Sequence, residues 1–232
     1  MTNKEALESK TLIDHTGSGS MFSRRKFLNF VGASTGVAVI ASACNKNDDD
    51  VITDTGVNLG SGDIGILNYA YALEQLEAAF YTKVVTTSGT GLSVTEFARF
   101  NDIKLHEVAH REFFKAALGS NAIVDLEVDF SSINFTDRSS ILATAKAFEN
   151  LGVSAYNGAG RLLINGDYLV LAGKIVSVEA RHAAYINDLI LNGSFAADTD
   201  SNGLDMSRTP PQVLAIAGAY IKTKINASNL PK

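Results

Sequence analysis

Two copies of one short motif contain residues that could bind a metal ion. Glu107 and His110 are three residues apart, and so are Glu179 and His182. On an α-helix this spacing places the carboxylate and the imidazole on the same face. Carboxylate oxygens and neutral imidazole nitrogens are ligands that proteins use for iron and manganese. One Glu-x-x-His motif is weak evidence, because it occurs by chance, but two copies along one chain predict a metal site.

A lone glutamate precedes each motif. Glu74 comes before the first copy and Glu149 before the second, and each is followed seven residues later by a tyrosine, Tyr81 or Tyr156. One glutamate from each of two helices and a Glu-x-x-His from each of two others is the arrangement of carboxylate-bridged di-metal proteins. The sequence therefore predicts a centre of two metal ions, iron or manganese.

Glu77 leaves the ligand set open. Glu74 and Glu77 lie on the same stripe of their helix, and the basic pattern needs only one of them. The internal repeat through Tyr81 favours Glu74, so Glu77 is expected either to contact a ligand or to be an extra one. The predicted metal ligands are Glu74, Glu77, Glu107, His110, Glu149, Glu179 and His182.

Three residues near the predicted ligands are assigned other roles. Tyr81 and Tyr156 are expected to pack in the core, to hydrogen-bond to ligand carboxylates, or to take part in redox chemistry. His106 adjoins Glu107, but it lies roughly a hundred degrees away around the helix. We therefore expect His106 at the surface or facing a partner, and not as a ligand.

Four long helical patterns would position these residues. They cover about residues 64–85, 93–118, 137–164 and 168–191, and in each a glutamate lies near the middle of an apolar stripe with 3-4 spacing. Ser93 followed by Glu96 predicts a capping box at the start of the second helix. A fifth, shorter pattern begins at Pro210 and includes 213–225.

The connections between the helices predict the topology. Residues 86–92 and 165–167 are short, which suits antiparallel neighbours, whereas 119–136 is long. A long crossover between two helical hairpins is typical of a ferritin-like bundle. We predict an all-α, four-helix bundle with this crossover and a short C-terminal helix. Burying so many carboxylates without bound metal would cost free energy, which supports a metal centre. The alternative to a metal centre is a bundle whose glutamates lie at the surface, or one whose site is degenerate and no longer binds metal.

Composition excludes several classes of protein. The 232 residues are 46% hydrophobic, which is incompatible with a fully disordered chain. There are 20 basic and 25 acidic residues, so the chain lacks the basic excess of a nucleic-acid-binding protein. A single cysteine, Cys44, excludes a disulfide framework and cysteine-based metal sites.

The N-terminal segment predicts export. Arg24 and Arg25, followed by Phe27-Leu28 and a short apolar run, resemble a twin-arginine signal. The small residues 41–43 directly before Cys44 resemble a lipoprotein cleavage site, with lipid attached to the cysteine. The alternative is an ordinary secreted protein that is cleaved nearby. We predict a lipid-anchored protein of the cell envelope, in the periplasm or at the outer membrane or cell surface.

The chain thus divides into four predicted regions. Residues 1–43 are the export signal, 44–62 a flexible tether, 63–193 the bundle, and 194–232 a loop with the C-terminal helix. The tether is predicted from its Asn, Asp, Gly, Ser and Thr content.

Three segments of the predicted bundle resemble one known family. Residues 67–81, 152–159 and 178–184 resemble signatures of the ferritin-like domain family that includes plant desiccation-related proteins and exported bacterial proteins. The resemblance implies the fold, but members of that family generally have no assigned activity. We therefore expect either a di-iron or di-manganese oxidoreductase or a non-catalytic structural or stress-protective bundle. Self-association into a homo-oligomer is compatible with either function.

Overall fold

The computed structural model describes residues 56–232. This part of the chain contains five α-helices and a pair of very short strands. In chain order the elements are β1 (Val57–Asn58), α1 (Gly62–Thr86), α2 (Val94–Leu118), a 3-10 turn (Gly119–Asn121), α3 (Arg138–Gly160), α4 (Gly166–Ile190), α5 (Pro210–Ala217) and β2 (Ile225–Asn226).

The four long helices form two hairpins, as predicted. α1 packs along α2, and α3 packs along α4, while α1 also contacts α3. Seventeen of the 25 residues of α1 are buried, compared with 14 of 23 in α3, so α1 is the most extensively buried of the four long helices. The all-α bundle with a long crossover and a short C-terminal helix is therefore confirmed.

Amide side chains of α1 hold the crossover in place. The side-chain amide of Asn68 donates to the carbonyl oxygens of Leu59 and Asn121, and its oxygen accepts from the backbone N–H of Ile123. Two turns further along α1, the side-chain oxygen of Gln75 accepts from the N–H of Leu126 at 2.7 Å. These buried amides satisfy backbone groups of a connection that has no regular structure of its own.

The helices begin at the expected capping residues. Ser93 and Glu96 form the predicted capping box, with the Ser93 N–H donating to the Glu96 carboxylate at 2.8 Å. Asp137 caps α3 through two backbone N–H groups, and Asn165 caps α4 through the N–H of Asp167. α4 consequently begins at Gly166, two residues before the position predicted from the apolar pattern.

Two helices end earlier than predicted, because other partners take their backbone groups. α3 ends at Gly160, not at 164, and the Asp63 carboxylate accepts the N–H groups of Ile164 and Asn165. α5 ends at Ala217, not at 225. The chain beyond it bonds to the crossover: the N–H of Asp129 donates to the Tyr220 carbonyl.

The end of the predicted tether is folded. Within residues 56–62, β1 pairs in parallel with β2, with Val57 opposite Ile225. The side chain of Leu59 is completely buried. The composition of this segment is typical of a linker, and the prediction missed the strand because its partner lies at the other end of the chain. Residues 1–55, including most of the predicted tether, lie outside the described part.

Candidate metal centre

Each long helix places one glutamate in the interior of the bundle. Glu74 on α1, Glu107 on α2, Glu149 on α3 and Glu179 on α4 all have no exposed surface. This follows from the sequence pattern, since each glutamate lies on the apolar stripe that faces the neighbouring helices. Surface glutamates, the alternative considered above, are excluded for these four residues.

The glutamates and two histidines form two overlapping groups of four. The first group is Glu74, Glu107, His110 and Glu179, and the second is Glu107, Glu149, Glu179 and His182. Within each group, one potential ligand atom from every residue lies within 4.8 Å of the others. Glu107 and Glu179 belong to both groups, so the cluster has two halves that share two carboxylates.

Each shared carboxylate directs one oxygen to each half. In the first half, Nδ1 of His110 is 2.9 Å from Glu179 Oε1, 3.5 Å from Glu74 Oε2 and 3.8 Å from Glu107 Oε2. In the second half, Nδ1 of His182 is 2.9 Å from Glu107 Oε1, 3.5 Å from Glu149 Oε2 and 3.9 Å from Glu179 Oε2. The two halves are therefore nearly equivalent, and each contains three oxygens and one nitrogen.

The donor atoms of the cluster lack hydrogen-bond partners. Two of the contacts, from Nδ1 of His110 to Glu179 Oε1 and from Nδ1 of His182 to Glu107 Oε1, are 2.9 Å long, but neither has the geometry of a hydrogen bond. Buried polar atoms are nearly always paired, so this many exceptions in one place require an explanation. The unpartnered atoms are Oε2 of Glu74, Glu77 and Glu149, both carboxylate oxygens of Glu107 and Glu179, and Nδ1 of His110 and His182. A pair of dications would satisfy them, so the donor set fits a di-metal centre.

Two tyrosines occupy the remaining oxygens of the outer glutamates. The Tyr81 hydroxyl donates to Glu149 Oε1 at 2.5 Å, and the Tyr156 hydroxyl donates to Glu74 Oε1. Each tyrosine thus crosses from its own helix to the glutamate of the other hairpin. Of the three roles considered for Tyr81 and Tyr156, the structure shows two: both rings pack in the core, and both hydroxyls hydrogen-bond to carboxylates of the cluster. One oxygen of Glu74 and one of Glu149 remain unpartnered, and both face the histidines.

Glu77 lies beside the cluster but belongs to neither group of four. It is 3% exposed, and its Oε2 has no hydrogen-bond partner. A Cβ atom at Gly152 would lie 3.0 Å from Glu77 Oε1, so the glycine makes room for this carboxylate. In the internal repeat Gly152 follows Glu149 by three residues, as Glu77 follows Glu74. One hairpin therefore supplies an additional buried carboxylate where the other supplies space.

Burial and mutual repulsion strongly perturb the acids. Burial raises the pKa of Glu74, Glu77, Glu149 and Glu179 above the usual glutamate value. At Glu107 burial also acts in this direction, but the two nearby imidazoles outweigh it and lower its pKa. The carboxylates in turn raise the pKa values of His110 and His182, against the effect of burial. The metal-free cluster therefore retains protons that a bound cation would displace.

His106 contacts the cluster in a way that the sequence did not predict. Its side chain is exposed, as expected, but its Nδ1 lies 2.9 Å from Nε2 of His182. The sequence does contain a signal for this contact, because the two motif copies differ at the position before the glutamate: His106 precedes Glu107, whereas Val178 precedes Glu179. Arg24, Arg25 and Cys44, the predicted export and lipidation residues, lie outside the described residues.

The comparison with known families agrees with this fold and site. Residues 62–192 match the ferritin-like domain family, a match that covers more than half of the chain. The protein therefore belongs to the ferritin-like domain family, and its bundle encloses a carboxylate–histidine cluster that could bind metal. No curated protein matches the chain significantly. Within residues 56–232, none of the helices is both long and apolar enough to span a membrane.

Proposed function

We propose that this protein is an exported ferritin-like protein whose buried cluster holds two iron or manganese ions for redox chemistry. The observation that carries the proposal is the sharing of Glu107 and Glu179 between two groups of four donors. Two separate mononuclear sites would not need shared carboxylates, and a purely structural ion pair would leave fewer donors unpartnered. Bound iron or manganese would supply electron transfer to dioxygen or peroxide.

The residues divide into holding and bridging roles. Glu74 and His110 would hold one ion, and Glu149 and His182 the other. Glu107 and Glu179 would bridge them, because each has one free oxygen facing each half. This arrangement leaves Glu77 as an additional carboxylate beside the centre.

The surrounding side chains fix the outer carboxylates and restrict water. The hydroxyls of Tyr81 and Tyr156 each hold one oxygen of an outer glutamate, which orients the other oxygen toward the cluster. Phe80 and Phe100 are completely buried and pack against Tyr81. A surface cavity of about 280 Å³ between α2 and α4 reaches His182 and offers a route for a small substrate.

Metal content and oxygen consumption together test this proposal. Protein purified from its native envelope should contain about two iron or manganese ions per chain, measured by elemental analysis. Metal-free protein reloaded with Fe(II) under anaerobic conditions should consume dioxygen or peroxide, whereas a His110→Ala, His182→Ala double variant should not. Bound metal without such consumption would favour the alternative, a structural or stress-protective bundle. Protein that binds no metal would indicate a vestigial site.

We also propose export through the twin-arginine route, on the basis of Arg24 and Arg25. Replacing both by lysine should block the appearance of mature protein in the envelope, because this route tolerates the change poorly. Lys26→Arg is the control, since it leaves the arginine pair intact. Mature protein in the envelope of the double-lysine variant would contradict this route.

Lipid attachment at Cys44 is the proposed anchor to the periplasmic or outward-facing membrane surface. Cys44→Ala should abolish labelling by a radioactive fatty acid and release the domain into the soluble fraction. Ser42→Ala, which keeps the small-residue segment and the cysteine, should be labelled normally. Membrane retention of the Cys44→Ala protein at the wild-type level would place the anchor elsewhere.

A further inference from the structure

His106 and His182 are joined by a direct contact between their rings. Nδ1 of His106 lies 2.9 Å from Nε2 of His182, the rings are parallel within 6°, and their centroids are 5.1 Å apart. The nitrogen–nitrogen distance is shorter than the centroid distance by about two ring radii. The two nitrogens therefore lie nearly on the line between the centroids, and the rings are edge to edge in one plane. This is the geometry of an N–H···N hydrogen bond and not of a π-stack.

The position of the cluster decides which nitrogen carries the proton. Nδ1 of His182 faces the carboxylates of Glu107 and Glu149, where a metal ligand must present a lone pair. The neutral ring then carries its proton on Nε2, which donates to Nδ1 of His106. A histidine ligand whose second nitrogen donates to a fixed acceptor has its tautomer and ring orientation set.

The His110 half of the cluster has no corresponding histidine to accept such a hydrogen bond. By the internal repeat, the counterpart of His106 is Val178, which has no hydrogen-bonding side chain. Nδ1 of His110 faces the carboxylates of the cluster, and in the described part of the chain no side chain accepts a hydrogen bond from Nε2 of His110. The two halves are thus alike in their donor atoms and differ in the support of their histidines.

We propose that His106 is a positioning residue that orients His182 and selectively strengthens metal binding in the His182 half. The inference rests on the proposed function, because it requires His182 to be a ligand. It predicts unequal affinities of two otherwise similar positions, with the His182 position filled first. His106 itself belongs to neither group of four donors and does not act as a ligand.

The test is an anaerobic Co(II) titration of the full, metal-free chain, followed by visible absorption. Wild-type protein should bind two Co(II) ions in two steps. His106→Leu removes the acceptor while keeping an apolar group of similar size, and it should weaken one step about 10- to 100-fold. His106→Asn places an amide oxygen at the position of Nδ1, so it should restore most of the affinity. Val178→Leu, the matched change in the other half, should leave both steps unchanged.

Single-histidine backgrounds show which position responds. In a His110→Ala background, which retains the His182 half, adding His106→Leu should greatly weaken the remaining Co(II) site. In a His182→Ala background the same substitution should have no effect. If the wild-type protein binds two Co(II) ions and the His106→Leu variant binds them with the same affinities as the wild type, this inference is overturned. The proposed function would then still stand. Wild-type protein that binds no Co(II) would overturn both.

Discussion

The shared glutamates make a quantitative prediction about stabilisation by metal. Glu179 directs one oxygen to each half of the cluster, whereas Glu74 contributes a free oxygen only to the His110 half. Replacing either residue by leucine removes its oxygens while keeping a side chain of similar volume. Glu74→Leu should therefore impair one metal position, and Glu179→Leu should impair both.

The magnitude follows from mass action. At a free metal concentration of 100 times the Kd, each filled position stabilises the folded state by about 2.7 kcal/mol. For a domain of this size, 1 kcal/mol raises Tm by about 2–4 °C. Two positions should raise the wild-type Tm by about 10–20 °C, and Glu74→Leu should retain about half of that increment. Glu179→Leu should retain almost none.

The assay is differential scanning calorimetry with and without Mn(II), combined with metal analysis. The increment is compared within each variant, because removing a buried carboxylate should itself raise the Tm of the metal-free protein. Glu112→Gln serves as the control, since this α2 carboxylate is exposed and pairs with Arg111. Equal increments for Glu74→Leu and Glu179→Leu would refute the bridging role. A wild-type Tm that does not respond to metal would refute the centre itself.

Two further predictions concern the scaffold. Gly158→Ala would place a Cβ atom 1.7 Å from the Arg208 carbonyl oxygen, so it should displace the loop after α4. The expected loss is about 1–3 kcal/mol of unfolding free energy, measured by thermal unfolding. Gly173→Ala is the control: there is open space around Gly173, so this change should be neutral or stabilising. The Arg138 side chain beside Glu96 lowers the pKa of that carboxyl from 4.5 to about 2. The ion pair therefore stabilises the fold fully above pH 4.5, the pKa of the unfolded state, and this contribution is lost as the pH falls toward 2. Urea unfolding over this range should show a weaker pH dependence for Glu96→Gln, which keeps the capping box, and an unchanged slope would contradict the pairing.

Much of the fold could be predicted because the helices obey local rules. Apolar spacing, the Ser93 capping box and the order of short and long connections depend on neighbouring residues. The four helices, the capping box and the long crossover are confirmed, although the second short connection covers 161–165 and not 165–167. The errors lie where distant segments compete for backbone groups. Asp63 takes the amides that would have extended α3, and the C-terminal segment pairs with β1 and the crossover instead of continuing α5.

For the site, the sequence by itself determined which residues lie at the centre of the bundle. A glutamate in the middle of an apolar stripe is buried together with that stripe, so four helices with this pattern bring four carboxylates to one level. Only the tertiary structure decided which carboxylate oxygen faces which half of the cluster and which side chains contact the others. The crossed bonds from Tyr81 and Tyr156, the place of Glu77 beside Gly152, and the contact of His106 with His182 all join different helices. Helical periodicity fixes the face on which a residue lies, but the packing of the helices determines which atom it meets.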